Sequence, residues 1–132
     1  MPQRILVIDD DAKARALVAA ILEPVGYQVI GAENGRAGLG LAASHPPDLV
    51  VLDVQMPGMD GYEVCRILRK GTKTREVPIL MLTSTDDPAL NRKAYAAGAV
   101  ACVPKPFRRE GLLAAIAATL TVKPKEATPP TV

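Results

Sequence analysis

Asp48-Leu49-Val50-Val51-Leu52-Asp53 is apolar at every position between its two aspartates. A strand with one wet face alternates apolar and polar residues. A continuous apolar run is covered on both faces, as in a parallel sheet. Parallel neighbours are joined by crossovers, usually helices, so helical periods are expected on both sides of this strand.

They are found on both sides. Towards the N-terminus, Arg4-Ile5-Leu6-Val7-Ile8 is a second compact strand, stopped by Asp9, Asp10 and Asp11. Ala14, Leu17, Val18, Ile21 and Leu22 then recur at three and four and mark one face of a helix. Gly26 is expected to stop that helix. Tyr27 to Ile30 reads as another strand, and Asn34-Gly35 as a break. Leu39, Leu41 and Ala42 sit in a short, weakly patterned helix that His45-Pro46-Pro47 ends. Towards the C-terminus, Met56 to Gly61 is loop, and Val64, Ile67 and Leu68 supply the apolar face of a helix. Val77 to Leu82 is a strand ending at Thr83, and Asp87-Pro88 reads as an N-cap with proline in the first turn. That helix runs to about Ala97 and stops at Gly98. Ala99 to Val103 is a short strand, and Leu112, Leu113, Ile116 and Leu120 mark the last helix.

Five strands alternating with five helices predict one α/β domain, a doubly wound parallel sheet with helices on both faces. A chain of 132 residues suits one domain and can bury a core without disulfides or a structural metal. The domain is expected over residues 1–121. Residues 122–132, with Pro124, Pro129 and Pro130, read as a proline-rich tail or the start of a linker. There is no internal repeat.

Composition narrows the function. A net charge of +2 gives no basic stripe for nucleic acid or a membrane surface. Tyr27, Tyr62, Tyr95 and Phe107 are the only aromatics, too few to stack bases. Cys65 and Cys102 have no metal-ligand spacing and read as reduced thiols, although a single disulfide is compatible with the sequence. The first apolar run ends at once in three aspartates, so it is no signal peptide, and no stretch reaches the ~20 apolar residues of a membrane helix. A cytoplasmic protein is expected.

In open α/β sheets, ligands bind beyond the carboxyl ends of the strands. The residues found there are Asp9 and Asp10, then Asp53, then Thr83 and Ser84, then Lys105 and Pro106. Three carboxylates, a hydroxyl and an amine are thus aimed at one sheet edge. Two carboxylates about 5 Å apart repel by roughly 3 kcal/mol at an effective dielectric of ~20. Either their pKa values rise or a cation sits between them. Oxygen-only ligands with room for water suit Mg²⁺. A lysine suits phosphoryl oxygens, and a threonine can donate to another. The set fits a transferable phosphoryl group, whose chemistry needs positioning and charge neutralisation.

Ile8-Asp9-Asp10, Leu52-Asp53-Val54-Gln55-Met56-Pro57-Gly58-Met59-Asp60-Gly61, Leu82-Thr83-Ser84 and Pro104-Lys105-Pro106-Phe107 together closely resemble the receiver domain of bacterial two-component response regulators, over about residues 4–120. The resemblance implies a flavodoxin-like fold of strand order 2-1-3-4-5. It implies that Asp53 accepts a phosphoryl group from a sensor histidine kinase or phosphotransfer protein. Asp10 and Asp53 would ligate Mg²⁺ directly, Asp9 through water, and the backbone carbonyl of Gln55 would be a further ligand. Lys105 would hold phosphoryl oxygens, with the Lys105–Pro106 bond cis. Thr83 would move onto the phosphoryl group and bias the surface of the fourth helix, fifth strand and fifth helix, which meets an output partner or effector domain. No direct contact with nucleic acid or membrane is implied for this domain, and no enzymatic activity beyond its own phosphorylation and dephosphorylation.

Some positions depart from the family. Three residues before the lysine the family commonly carries Tyr or Phe; here Cys102 stands there, and a thiol cannot act as the same lever. Val100-Ala101 lacks the acidic pair of the winged-helix subfamily, which leaves its salt-bridged dimer without a basis. Gln55 and Thr85 occupy positions that tune hydrolysis in the family. His45 reads as solvated loop, Arg108-Arg109 as exposed charges, and Gly58 and Gly61 as backbone geometry. Two alternatives stand beside the switch: a phosphorylation-independent scaffold, which Cys102 favours, and an aspartyl-phosphate phosphatase. The phosphatase would need an acid two residues after the nucleophile, where Gln55 stands.

Overall fold

The computed structural model describes residues 2–84 and 87–122. Its elements run β1 (Arg4–Ile8), α1 (Ala12–Leu22), a 3-10 turn (Glu23–Val25), β2 (Gln28–Ala32), α2 (Gly35–Ser44), β3 (Leu49–Asp53), α3 (Gly61–Lys70), β4 (Ile79–Thr83), α4 (Pro88–Ala97), β5 (Ala101–Pro104) and α5 (Arg109–Leu120). The strands pair in parallel in the order β2-β1-β3-β4-β5, the order the resemblance implies. The proline-rich segment from residue 123 and Thr85 lie outside the described residues.

Side chains alternate along a strand, so each central strand feeds two cores. Leu6, Ile8, Val50, Leu52, Ile79 and Met81 pack with residues of α2, α3 and α4. Ile5, Val7, Leu49, Val51, Leu80 and Leu82 pack with Val18, Ile21 and Leu22 of α1 and with Leu112 and Ile116 of α5. Every residue of β3 and of β4 is buried, which is why both read as unbroken apolar runs.

The first four α-helices start where short polar side chains can take a first-turn N–H, whereas α5 starts at Arg108 without a side-chain cap. Asp11 accepts from Lys13, Asn34 from Ala37, Asp60 from Glu63 and Asp87 from Ala89. The stop expected at Gly26 stands, but α1 first tightens into the 3-10 turn, which the left-handed Gly26 (φ 104°) closes. At the other end of the sheet, Gly98 (φ 117°) closes α4. The Ala99 N–H still bonds the Ala94 carbonyl at that cap and the Val100 N–H is the first to reach β4, at the Ile79 carbonyl, so β5 runs from Ala101 rather than from Ala99.

Two apolar residues assigned to inner faces, Leu17 and Ile67, are exposed, and so is Leu41 of the weakly patterned α2. At about 100° per residue, Gly61, Val64, Cys65 and Leu68 cluster in direction, whereas Ile67 lies about 120° from Gly61. The buried face of α3 is therefore Gly61, Tyr62, Val64, Cys65 and Leu68. In α2 the buried residues are Gly35, Gly38 and Ala42. A Cβ at Gly38 would strike Ile8, so the helix lies close on the sheet because its inner face is nearly bare. No helix among the described residues is long and apolar enough to cross a membrane.

Candidate functional site

The carboxyl ends of β1, β3, β4 and β5 bring Asp9, Asp10, Asp53, Thr83 and Lys105 to one edge of the sheet. Asp9 and Asp53 are buried and Asp10 is exposed. One carboxylate oxygen from each of the three lies within 4.8 Å of the others. At that spacing each charged pair repels by about 3 kcal/mol at an effective dielectric near 20.

Lys105 answers part of this charge. Its Nζ donates to Asp53 Oδ1 at 3.1 Å and stands 3.6 Å from Asp9 Oδ2. The lysine is fixed from below by its backbone: the Lys105 N–H donates to the Thr83 carbonyl at 2.7 Å, and the Lys105–Pro106 bond is cis, as expected. Burial pulls the ammonium down, but the hydrogen bond and charge of Asp53, with Asp9 behind, hold its pKa above the ordinary lysine value. Burial raises the pKa of Asp53; the Lys105 hydrogen bond opposes this, while the charges of Asp9 and Asp10 add to it.

One lysine does not balance three carboxylates. Asp9 Oδ1 accepts the Asp11 N–H at 3.0 Å. Asp9 Oδ2 is buried and, among the described residues, has no hydrogen-bond partner beyond the Lys105 charge 3.6 Å away. A buried carboxylate oxygen left in that state is costly. The donors are all hard oxygens, one of them exposed to water, and they fit Mg²⁺ better than a thiol- or imidazole-loving metal.

Thr83, at the end of β4, is buried beneath the site. With Ser84, Gln55, Tyr62 and Leu90 it lines a cleft of about 510 Å³ between the β3–α3 loop and α4. Gln55 is exposed in that loop. The loop returns under Asp53 because residue 61 is glycine: a Cβ there would strike the Asp53 carbonyl oxygen and lie 2.8 Å from Val54 Cα. Cys102 is half-buried in β5. Burial raises its thiol pKa, and hydrogen bonding to Tyr95 of α4 opposes the rise. His45 is exposed at the C-terminal end of α2, away from the site.

The pattern of strand-end residues left one contributor unseen. Arg15, in the first turns of α1, donates from Nη1 to the Asp9 carbonyl at 2.7 Å. Nothing in a helical arginine among alanines signals a bond to a backbone oxygen six residues earlier.

The sequence matches the family described as the response regulator receiver domain over residues 5–117. The chain belongs to that family. It is 48% identical over 120 residues to the response regulator MprA of Mycolicibacterium vanbaalenii, an alignment covering 91% of this chain and 51% of that protein. The chain thus spans about half the length of the curated relatives it matches. Among solved receivers, the chemotaxis protein CheY4 of Vibrio cholerae superposes with a TM-score of 0.87 at 33% identity, covering 90% of this chain and 99% of that one. The receiver domain of the sensor histidine kinase PA1611 of Pseudomonas aeruginosa PAO1 superposes at 0.85 with 26% identity, covering 92% and 100%. That structure holds a magnesium ion coordinated in its active site cleft. The doubly wound fold and the membership expected from the motifs are therefore in place.

Proposed function

We propose that this receiver is a phosphorylation switch in which Asp53 accepts a phosphoryl group. The observation that carries the reading is the Asp9–Asp10–Asp53 cluster with Lys105 bonded to Asp53. A carboxylate oxygen of Asp53 attacks phosphorus, and the new O–P bond forms as the P–N bond of a phosphohistidine breaks. Its electron pair leaves on the imidazole nitrogen, which takes up a proton. Lys105 lies where it can follow the charge from the carboxylate to the phosphoryl oxygens. Asp10 and Asp53 would hold Mg²⁺ directly, Asp9 through water, and the Gln55 carbonyl would complete the protein's share. When bound, the ion supplies neutralising charge between carboxylates and phosphoryl oxygens. Water later cleaves the acyl phosphate and restores Asp53, so the chain's only catalysis is on itself.

The phosphodonor is a sensor histidine kinase or a phosphotransfer protein, and the setting is the cytoplasm. A hollow of about 500 Å³ beside Lys105, lined by Lys13, Ala14, Leu17, Pro106 and Phe107, offers such a partner an apolar seat. It also gives a use to Leu17, which α1 leaves exposed. Thr83 donates to the bound phosphoryl group and pulls β4 with it, shifting the α4–β5–α5 surface towards an output partner or effector domain. Residues 1–121 form the receiver unit. Cys102 stands where an aromatic lever is common, and Tyr95 is the aromatic beside it, so the shift is read through a different packing.

Beryllofluoride, which mimics a phosphoryl group on a carboxylate, tests this. With Mg²⁺ present it shifts the amide resonances of Asp53, Thr83 and Lys105; without Mg²⁺, or in Asp53→Ala, it does not. A folded protein whose spectrum ignores beryllofluoride and Mg²⁺ together is a phosphorylation-independent scaffold, and the proposal fails.

A further inference from the structure

Resting on the reading of Asp9 as part of the metal cluster, we propose that Arg15 is a positioning residue of the site, acting through the Asp9 backbone, and that Gly31 is the gap that lets it do so. Asp9 Oδ1 takes the Asp11 N–H, and Oδ2 is the oxygen turned towards Lys105, 3.6 Å from its Nζ. Which oxygen faces Asp10, Asp53 and Lys105 depends on how the Asp9 peptide is held. Its N–H continues the sheet by donating to the Ala32 carbonyl at 3.1 Å. Its carbonyl lies past the end of β1, where no backbone N–H of the described residues reaches it. Arg15 supplies the donor at 2.7 Å, and the Arg15 N–H bonds the Asp11 carbonyl at 3.1 Å. The second of these is the ordinary first bond of α1, so only the bond to the Asp9 carbonyl depends on the arginine side chain.

The arginine does not spend its charge on a carboxylate: among the described residues it is in no ion pair. A charged donor on a carbonyl makes a stronger bond than a neutral one, and it brings a positive charge behind the acidic cluster. To reach Asp9, the half-buried stem runs across β2. A Cβ on Gly31 would lie 3.3 Å from Arg15 Cδ and 3.6 Å from Nε. Gly31 has no positive φ that would demand glycine. On strand propensity alone it is a poor choice. Its smallness is explained by the arginine that lies over it.

Groups that orient metal ligands commonly cost 10–100-fold in metal affinity when removed. Three variants test the proposal: Arg15→Met, Gly31→Val and both together. Each is followed by Mg²⁺ titration, by thermal melting in EDTA and by exchange of the Asp11 amide in EDTA. Arg15→Met weakens Mg²⁺ binding about tenfold, and the Asp11 amide exchanges several-fold faster. Gly31→Val weakens Mg²⁺ binding in the same direction while melting no lower than the wild type, because valine favours the strand. A purely structural glycine would move both readings together. The double variant binds Mg²⁺ within about twofold of Arg15→Met alone, since the valine has no arginine left to displace. Unchanged affinity in Arg15→Met, or independent additive losses in the double variant, overturns the proposal. If the wild type itself binds no Mg²⁺, the metal reading fails instead. The Asp11 exchange then still decides the role of Arg15, because unchanged protection in Arg15→Met removes it.

Discussion

At the residue scale, Asp53 stands in tension between its surroundings and its task. Burial raises its pKa, Lys105 draws it down, and Asp9 and Asp10 push it up again, with a net rise above 3.8. A carboxyl whose folded pKa lies above its unfolded value binds its proton more tightly when folded. Its contribution to stability is then complete below pH 3.8 and is lost as pH rises through the raised folded value. At neutral pH the metal-free protein therefore carries a penalty that Asp53→Asn removes. In EDTA, the variant is expected to melt above the wild type at pH 7, with the gap closing as the pH falls below 4. Adding Mg²⁺ should raise the wild type and leave the variant nearly unmoved. A variant that melts below the wild type at pH 7 would show that the Lys105 bond outweighs burial and repulsion. The strand-end aspartates, Thr83 and Lys105 were legible in the sequence because a strand's carboxyl end is fixed by its apolar run. Arg15 was not, because a side chain bonded to a carbonyl leaves no pattern in residue types.

Among the elements, legibility followed the chemistry of the buried face. β3 and β4 were legible as strands because all their residues are buried, although β4 begins at Ile79 rather than at Val77. α2 read weakly because glycine and alanine make its closest contact, while Leu39 packs at the border of the core and Leu41 is exposed. Another tie invisible in the sequence lies between α3 and α4. Arg69 is half-buried at the end of α3 and donates from Nε and Nη2 to the Gly98 carbonyl at 3.0 and 2.7 Å. Its Nη1 reaches the Val77 carbonyl at 2.7 Å and that of Arg75 at 3.2 Å. Burial lowers the pKa of this guanidinium, and the neighbouring Cys65 opposes the fall. It ties the C-terminal cap of α4 to the segment that leads into β4. Bonds from a charged donor are worth about 1.5–3 kcal/mol each, and their losses overlap at one residue. Arg69→Met should therefore cost about 2–4 kcal/mol in urea unfolding, without changing Mg²⁺ affinity. A loss under 0.5 kcal/mol would mean that water replaces the guanidinium freely.

At the scale of the whole molecule, the doubly wound sheet places all the strand ends on one edge, and the order β2-β1-β3-β4-β5 sets β1, β3 and β4 side by side there. The sequence could show which residues follow each strand. The strand order came from resemblance, because right-handed crossovers alone permit several arrangements. The central claim is that this edge holds a phosphoryl group on Asp53, and intact mass tests it most directly. Incubated with Mg²⁺ and a small-molecule phosphodonor, the wild type should gain one phosphoryl mass, while Asp53→Ala and a metal-free sample gain none. A protein that stays at its unmodified mass, or an Asp53→Ala variant that gains the same increment, would contradict the account.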